Sequence, residues 1–455
     1  MRAYRELSLW LDQVADAGDD LVPRASLGGD VEVDVCIVGA GLTGLWTAHY
    51  LLERDPALRI AIVEKEIAGF GASGRNGGWC SALFPAGAAS LERRHGRDAA
   101  TAMRRAMIDT VDEVGREAER LGIDCDFVKG GTVAFARSPL QQKAAEAEVS
   151  QAADFGTDEL RLLGPEGFGV SEVHGVVLDP ACARLHPAKL VRGLARSVEA
   201  RGVTIYEKTE AVDFSAGRVV TRRGTVRADS VVLALEAYTA TLARTRRRIM
   251  PLYSLMIATE PLPASVWHAI GVEHGQTFSD YRHLLIYGQR TADDRIAFGG
   301  RGARYHWGSA IRDGYDIVPK VFEHLETTLR ELMPAVGDAR ITHRWGGPIG
   351  VPRDWHATVS YNPRTGVGFA GGYVGDGLST TNLAGRTMAD LVSGRRTALT
   401  ALPWVGHTSP RWEPEPLRFT GANAGLAATA FADVEERVTG RPSIAAKIVA
   451  PLVGH

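Results

Sequence analysis

The 455-residue chain predicts a mixed α/β fold, α+β over its whole length, from three observations. The apolar run Val33-Asp34-Val35-Cys36-Ile37-Val38 ends in the turn Gly39-Ala40-Gly41-Leu42-Thr43-Gly44, which opens a helix. A second run, Arg59-Ile60-Ala61-Ile62-Val63, delivers the acid Glu64 about 20 residues past the last glycine. Far along the chain another strand, glycine turn and helix recur, and short strands punctuated by Gly and Pro lie between the two units.

The first strand is apolar on both faces, and the helix after it turns Leu45, Ala48, Leu51 and Leu52 inward. Gly39 permits the tight turn, Gly41 lets the backbone approach a pyrophosphate, and Gly44 seats the helix close to the strand. The free N–H groups of Ala40, Leu42, Thr43 and their neighbours, with the positive helix end, face phosphates. The Glu64 carboxylate accepts hydrogen bonds from a ribose diol, with Lys65 beside it. Together these make a Rossmann-like dinucleotide-binding unit. Next comes Gly69-Phe70-Gly71-Ala72-Ser73-Gly74-Arg75-Asn76-Gly77-Gly78, too rich in glycine for a helix or strand interior. It offers backbone N–H groups and the Arg75 cation to an anionic or carbonyl-rich ligand.

Ala99–Leu121 is strongly helix-forming and ends at Gly122, and Ala144–Glu148 marks another helix. Residues 187–235 return to the nucleotide sheet. From Met250 to Gly350 the strands Ser254–Thr259, His283–Tyr287 and Ile296–Gly300 suggest an antiparallel sheet. Then Gly366–Ala370 forms a strand, Gly371-Gly372-Tyr373-Val374-Gly375-Asp376-Gly377 a turn, and Leu378-Ser379-Thr380 the start of a helix running to Gly394. The tail holds the wrapping loop Arg411–Pro416 and a mildly amphipathic helix that packs on the body or a sister subunit. A nicotinamide dinucleotide needs one such glycine turn, whereas FAD stretched across the domain uses both. The second helix end then lies near the flavin N1–C2=O edge, where reduction builds negative charge.

Composition narrows the class. A formal net charge of −2, 45% apolar and 23% charged residues describe an ordinary globular chain, with nothing to recommend nucleic acid or an anionic membrane. The basic run Arg244–Arg248 reads as a solvated turn. Cys36, Cys80, Cys125 and Cys182 show neither CxxC nor metal-ligand spacing, so a reducing compartment without disulfides or metal is expected. No signal peptide and no bilayer-spanning run is evident, and the expected location is the cytoplasm.

The set Gly39–Gly44, Glu64, Gly71–Gly78, Leu185-His186-Pro187 and Gly371–Gly377 resembles the D-amino-acid oxidase/glycine oxidase/sarcosine oxidase superfamily of FAD amine oxidoreductases, most nearly its gamma-glutamylputrescine oxidoreductase-like branch. The resemblance implies a discontinuous FAD-binding domain (residues 30–85, 180–250 and 350–400), a substrate domain (86–179 and 251–349) and a C-terminal wrapping segment (401–455). It also implies that the strand Val203–Tyr206 leads to Ala211, whose backbone touches adenine, and that Ser230–Ala234 packs beside the first strand. Beyond the two turns, Gly71, Ala72, Ser73, Arg75, Asn76, Gly77, Gly78, Gly372, Tyr373, Gly375, Asp376, Gly377, Leu378, Ser379 and Thr380 are expected around the cofactor.

Tyr253, Tyr287, Arg301, Tyr305, His306, Trp345 and Tyr373 fall in segments that the resemblance places near the flavin face. For each aromatic taken singly, core packing is the commoner role. Arg301, flanked by glycines, suits either a substrate carboxylate or a structural ion pair. Amino-acid oxidases of the superfamily carry a carboxylate-clamping arginine near Trp345-Gly346-Gly347-Pro348, where glycines stand here. That favours an amine without an adjacent carboxylate. The oxygen-activating lysine of sarcosine oxidases corresponds to Ala297, and no cysteine follows Cys182, so FAD is expected to be non-covalent.

The implied reaction is oxidation of a primary or secondary amine, polyamine-derived or N-substituted, by hydride transfer to flavin N5. Imine hydrolysis follows, with dioxygen or another acceptor taking the electrons. A neutral amine is required and no general base is assigned. The alternatives are an FAD dehydrogenase with another acceptor, a flavin-binding protein without turnover, and, with less support, an NAD(P)H-linked monooxygenase. Oligomeric state is not legible.

Overall fold

The computed structural model describes residues 3–156 and 159–449. The last six residues of the expected wrapping segment lie outside them. One sheet runs in the order Thr358–Asn362, Val367–Gly371, Gly224–Leu233, Val31–Val38, Ile60–Val63, Thr204–Tyr206. It is parallel apart from the edge hairpin Thr358–Asn362/Val367–Gly371 and the side hairpin Ala211–Ser215/Arg218–Thr221. The register sets Ile37 beside Val232 and Val38 beside Val63, so both glycine turns leave the sheet at the same, C-terminal edge. That edge is where open α/β sheets bind ligands.

The helices Leu42–Arg54 and Gly377–Val392 that follow the two turns pack against each other. Gly385 makes the close approach possible: a Cβ there would stand 2.6 Å from the Trp46 Cβ. One apolar cluster joins Ile37, Leu45, Trp46 and Leu51 to Leu190 and Val198 of the Pro187–Ala200 helix and to Met388. Met103, Met107 and Val111 of the helix Arg97–Arg120 belong to the same cluster. Residues 88–120, expected with the substrate-side sheet, therefore join the helices of the nucleotide-binding half, because the apolar stripe of the long helix finds its partner in the helix Gly377–Val392.

The second sheet runs Ile341–Val351, Met250–Thr259, Ile296–Ala303, Ile286–Arg290, Thr277–Asp280, Thr132–Ala136, Gly175–Asp179, Arg161–Leu163. All its pairs are antiparallel save Thr277–Asp280 with Thr132–Ala136, which is parallel and corrects the purely antiparallel expectation. The strand expected over His283–Tyr287 starts at Ile286 instead, since the His283 and Leu284 N–H groups donate to the Asp433 carboxylate rather than to a neighbouring strand. The helix Pro319–Leu332 covers this sheet with Phe322, Leu325 and Leu329.

Two terminal segments tie the halves together. Trp10 and Leu11 of the helix Leu9–Asp16 pack with Met256, Ala258 and Trp345. In the tail, Trp412 is buried against Met250, Val351 and Tyr305 and donates Nε1–H to the Val351 carbonyl at 2.7 Å. The helix Leu417–Thr439 follows, and among the described residues no helix is long and apolar enough to cross a membrane.

Candidate active site

The first glycine turn has the geometry its spacing demands. Gly39 has φ +109°, and a Cβ there would meet the Ala234 carbonyl oxygen at 2.6 Å. At Gly44 a Cβ would stand 2.1 Å from the Gly39 carbonyl oxygen and 3.1 Å from Ile37 Cγ2, which is the close helix–strand contact itself. Gly41 caps the Leu42–Arg54 helix without a side-chain bond, and the Leu42 N–H reaches Ser73 Oγ at 2.9 Å. Glu64 accepts from the Ala40 and Glu66 N–H groups, each at 2.9 Å. Burial raises its pKa to about 7 against the pull of those two donors.

The second turn is held by a residue that sequence reasoning missed. Glu236, half-buried just after the strand Gly224–Leu233, accepts from Gly372 N–H at 2.8 Å, Gly350 N–H at 3.1 Å and Tyr373 N–H at 3.3 Å. Burial lifts its pKa to about 7 despite these donors. The signal lay in Leu235-Glu236, an acid directly after an apolar strand, as Glu64 follows Val63. Tyr373 then bridges the turns, its hydroxyl 3.1 Å from Thr43 Oγ1. Like the first helix, Gly377–Val392 begins without a side-chain cap. Two helix N-termini thus face the same space, neither closed by an N-cap side chain.

That space is a pair of adjoining cavities of about 340 and 260 Å³. Gly39, Glu64, Phe70, Arg75, Leu235, Tyr238 and Pro348 line both. The first adds Lys65, Thr209, Glu210 and Ala211; the Lys65 ammonium is already paired with Glu210 at 2.8 Å. The second adds Gly41, Leu42, Thr43, Gly71, Ala72, Ser73, Asn76 and Gly77 from the first half of the chain. From the second turn it takes Tyr373, Gly375, Asp376, Gly377 and Leu378. Beyond them stand Trp79, Ser254, Tyr287 and Arg301, with Leu83 and Leu285 exposed at the rim. The lining suits an elongated dinucleotide: an acid shared by both cavities, an uncapped helix beside a side-chain-free Gly41, and a second uncapped helix after the turn Tyr373–Gly377.

Six expected cofactor residues stand behind the walls. Ala40 and Gly372 donate their N–H groups to Glu64 and Glu236. Gly44 packs on the strand, and Gly78 leaves room for Gln289 Nε2 and the Leu185 carbonyl. The Ser379 and Thr380 hydroxyls donate to the carbonyls of Ser81 and Asp376.

The expected pocket walls divide. Tyr287 lies in the second cavity, its hydroxyl 2.8 Å from Ser254 Oγ, its ring filling the space a Cβ on Gly77 or Gly299 would take. Arg301 lines the same cavity; it donates one Nη2–H bond to the Val374 carbonyl at 2.8 Å and faces the Trp355 ring at 5.3 Å. Tyr253 instead lines the first cavity, beside Arg312 and Asp316. Trp345 lines neither: it packs on Trp10 and donates Nε1–H to the Arg75 carbonyl at 2.9 Å. Tyr305 is also core, its hydroxyl bonded to Glu415 at 2.7 Å and Ser309 at 3.1 Å, where it anchors the tail. His306 lines neither cavity: it stacks on Tyr315 with centroids 3.5 Å apart and meets Tyr253 edge-on from behind the first one. Arg75, expected as an open cation, is committed to Asp316, the Gly346 carbonyl and the Tyr238 hydroxyl at 3.2–3.3 Å. Its guanidinium flanks Gly347, and no arginine comes from Trp345–Pro348 itself.

The sequence profile described as DAO, FAD dependent oxidoreductase, matches residues 34–391. The chain belongs to this family. As a member it is an FAD-dependent oxidoreductase related to amine and amino-acid oxidases. It is 30% identical over 389 residues to a probable oxidoreductase OrdL of Rhizobium meliloti, covering 82% of this chain and 86% of that protein. It is 28% identical over 394 residues to the gamma-glutamylputrescine oxidoreductase of Escherichia coli, covering 84% and 88%. The crystal structure of glycine oxidase from Geobacillus kaustophilus shares the fold, with a TM-score of 0.67, 22% identity and coverage of 83% of this chain and all of that one.

Proposed function

We propose that this family member oxidises a primary or secondary amine, of the polyamine-derived, gamma-glutamylputrescine-like kind, to an imine that water hydrolyses to a carbonyl compound. The observation that carries the reading is the second cavity. Its walls come from both glycine turns and from Trp79, Tyr287 and Arg301, with Leu83 and Leu285 exposed at its rim. The gamma-glutamylputrescine oxidoreductase likeness supports the substrate class, as does the stretch Gly346-Gly347, which has no side chain to clamp a carboxylate next to the reacting amine.

In this reading Gly39–Thr43 and Ser73 hold the pyrophosphate and Glu64 the ribose, with Ala211 beside the adenine. Tyr373–Leu378 receive the flavin ring through the uncapped helix end, which favours the negative charge of the reduced ring. The chemistry that bound FAD would supply is a hydride acceptor at N5 and a route for the electrons to dioxygen, with hydrogen peroxide as the product. Tyr287 and Trp79 shape the amine site, and Arg301 takes a remote carboxylate or carbonyl of the substrate. FAD is held without a covalent bond: all four cysteines are buried and none lines either cavity. Four unpaired thiols also accord with a reducing cytoplasm.

Anaerobic mixing with a panel of mono-, di- and acylated amines tests the reading. Amines bleach the visible flavin band; a protein reduced by hydroxy acids and by no amine refutes it. A second reading, an FAD dehydrogenase with a non-oxygen acceptor, is favoured by one observation: among the described residues no lysine lines the second cavity. Peroxide formation during turnover separates the two.

A further inference from the structure

An alkylamine with a pKa of about 10 enters any protein at neutral pH as its ammonium ion, so one proton must leave nitrogen before the adjacent C–H hydride departs. Among the described residues the second cavity has no lysine or histidine in its walls, and three carboxylates. Two of these are committed. Glu64 has an N–H donor on each oxygen, and Glu236 accepts three backbone N–H groups. The third, Asp376, stands at the start of the Gly377–Val392 helix without capping it, and no side-chain or backbone donor among the described residues reaches its carboxylate. The three tyrosines of the cavity are engaged: Tyr238 with Arg75, Tyr287 with Ser254, Tyr373 with Thr43.

Resting on the amine-oxidation reading, we propose that Asp376 receives the substrate ammonium group and takes up its proton inside the cavity. The N–H bond breaks, an O–H bond forms, and R–CH2–NH3+ with a carboxylate becomes R–CH2–NH2 with a carboxylic acid. The nitrogen lone pair is then free to support hydride departure to FAD, the electron acceptor of the family. Asp376 is a catalytic residue in this scheme because it touches the reacting nitrogen.

The electrostatics run in the required direction. Burial raises the Asp376 pKa to about 6, with Arg301 pulling it back. The same burial lowers the pKa of an enclosed ammonium group, so desolvation narrows the gap from both sides. Titratable groups around the turn are Arg301 on the strand Ile296–Ala303, Glu236 after the strand Gly224–Leu233, and Tyr373 in the turn. Of these, Arg301 acts on Asp376 through its charge, close enough to interact but with no N···O contact within salt-bridge distance. Asp376 thus lines the cavity with its carboxylate unpartnered among the described residues, and the guanidinium disfavours a second cation there.

The test is the pH dependence of amine binding to the FAD-loaded protein, read from anaerobic flavin reduction at several amine concentrations. If Asp376 accepts the proton, the wild-type apparent Kd changes by less than about threefold between roughly pH 7 and 9, because carboxylate and ammonium enter as a balanced pair. Asp376→Asn binds only neutral amine, so its apparent Kd falls about tenfold per pH unit over that range, and Asp376→Glu restores the flat profile. A readout without turnover uses a tert-alkylamine, which has no hydrogen on the carbon beside nitrogen. Calorimetry in two buffers counts the protons released: about zero for wild type and about one for Asp376→Asn. A tenfold-per-unit profile or one released proton in the wild type overturns the proposal without any variant being needed, as does a flat profile in Asp376→Asn. Failure of every amine to bind or reduce the flavin refutes the underlying reading instead.

Discussion

Gly44→Ala tests the nucleotide turn most directly. The new Cβ would lie 2.1 Å from the Gly39 carbonyl oxygen, and real Cβ atoms come no closer than 3.0 Å. Turn and helix must therefore separate by close to an ångström, against Ile37 Cγ2 at 3.1 Å on the other side. Overpacking of this kind costs about 1–3 kcal/mol. Spread over a chain this long, with an unfolding entropy near 2 cal/mol/K per residue, it lowers Tm by only about 1–3 °C. The larger effect falls on FAD. A shift of that size at Gly39–Leu42 spoils two charge-assisted N–H bonds to phosphate, each worth about 1.5–3 kcal/mol, and weakens FAD binding about a hundredfold or more. Fluorescence titration of the apoprotein with FAD, alongside thermal melts with and without it, measures both. Gly29→Ala, where nothing stands within 4 Å, is the control and leaves both unchanged. A Gly44→Ala protein that binds FAD within about threefold of wild type refutes the close-contact reasoning.

Other outcomes follow from the same geometry. Glu236→Ala leaves three buried N–H groups without their acceptor, so holoprotein stability falls by about 2–4 kcal/mol and FAD dissociates faster, both readable by melting and flavin release. Tyr305→Phe removes the anchor to Glu415 and lowers Tm while leaving amine kcat/KM unchanged, whereas Tyr287→Phe alters kcat/KM with little change in Tm; steady-state assays and melts compare the pair. Acid precipitation releases all flavin into the supernatant, and colour retained in the pellet contradicts non-covalent binding. Glu117 provides a pH test: burial alone would raise its pKa, but bonds from His49 and Arg120 outweigh that and hold it at about 2. A lowered carboxyl pKa stabilises above the unfolded value and loses that contribution as pH falls through the folded one. The Tm difference between wild type and Glu117→Gln therefore narrows as pH falls from about 4.5 to about 2.

The readable parts of the site were those where local covalent geometry leaves one solution. Gly39 needs its positive φ, and Gly44 its missing Cβ, whatever the rest of the chain does. Trp345 and Tyr305 took the core role that is the commoner one for a single aromatic, a choice the sequence left open for the converse reason. An aromatic residue on a strand near a glycine has the same local pattern whether its ring faces a cavity or a core. Here Trp10 from the N-terminal helix and Trp412 from the tail filled the space beside them. Arg75 lines both cavities, yet its guanidinium bonds Asp316, a partner so far away in sequence that no local pattern reveals it.

The amino-acid order alone was enough for the two strand–turn–helix units, the acid behind the first and the need for FAD rather than a shorter dinucleotide, since these rest on backbone sterics and spacing within a few dozen residues. Folding in three dimensions settled what depends on distant partners: Glu236 suturing the second turn, the long helix 97–120 joining the parallel sheet, and Asp376 left as the free carboxylate of the cavity. Which donors a buried acid meets is fixed by how separate segments close upon one another, and a linear chain carries no local record of that.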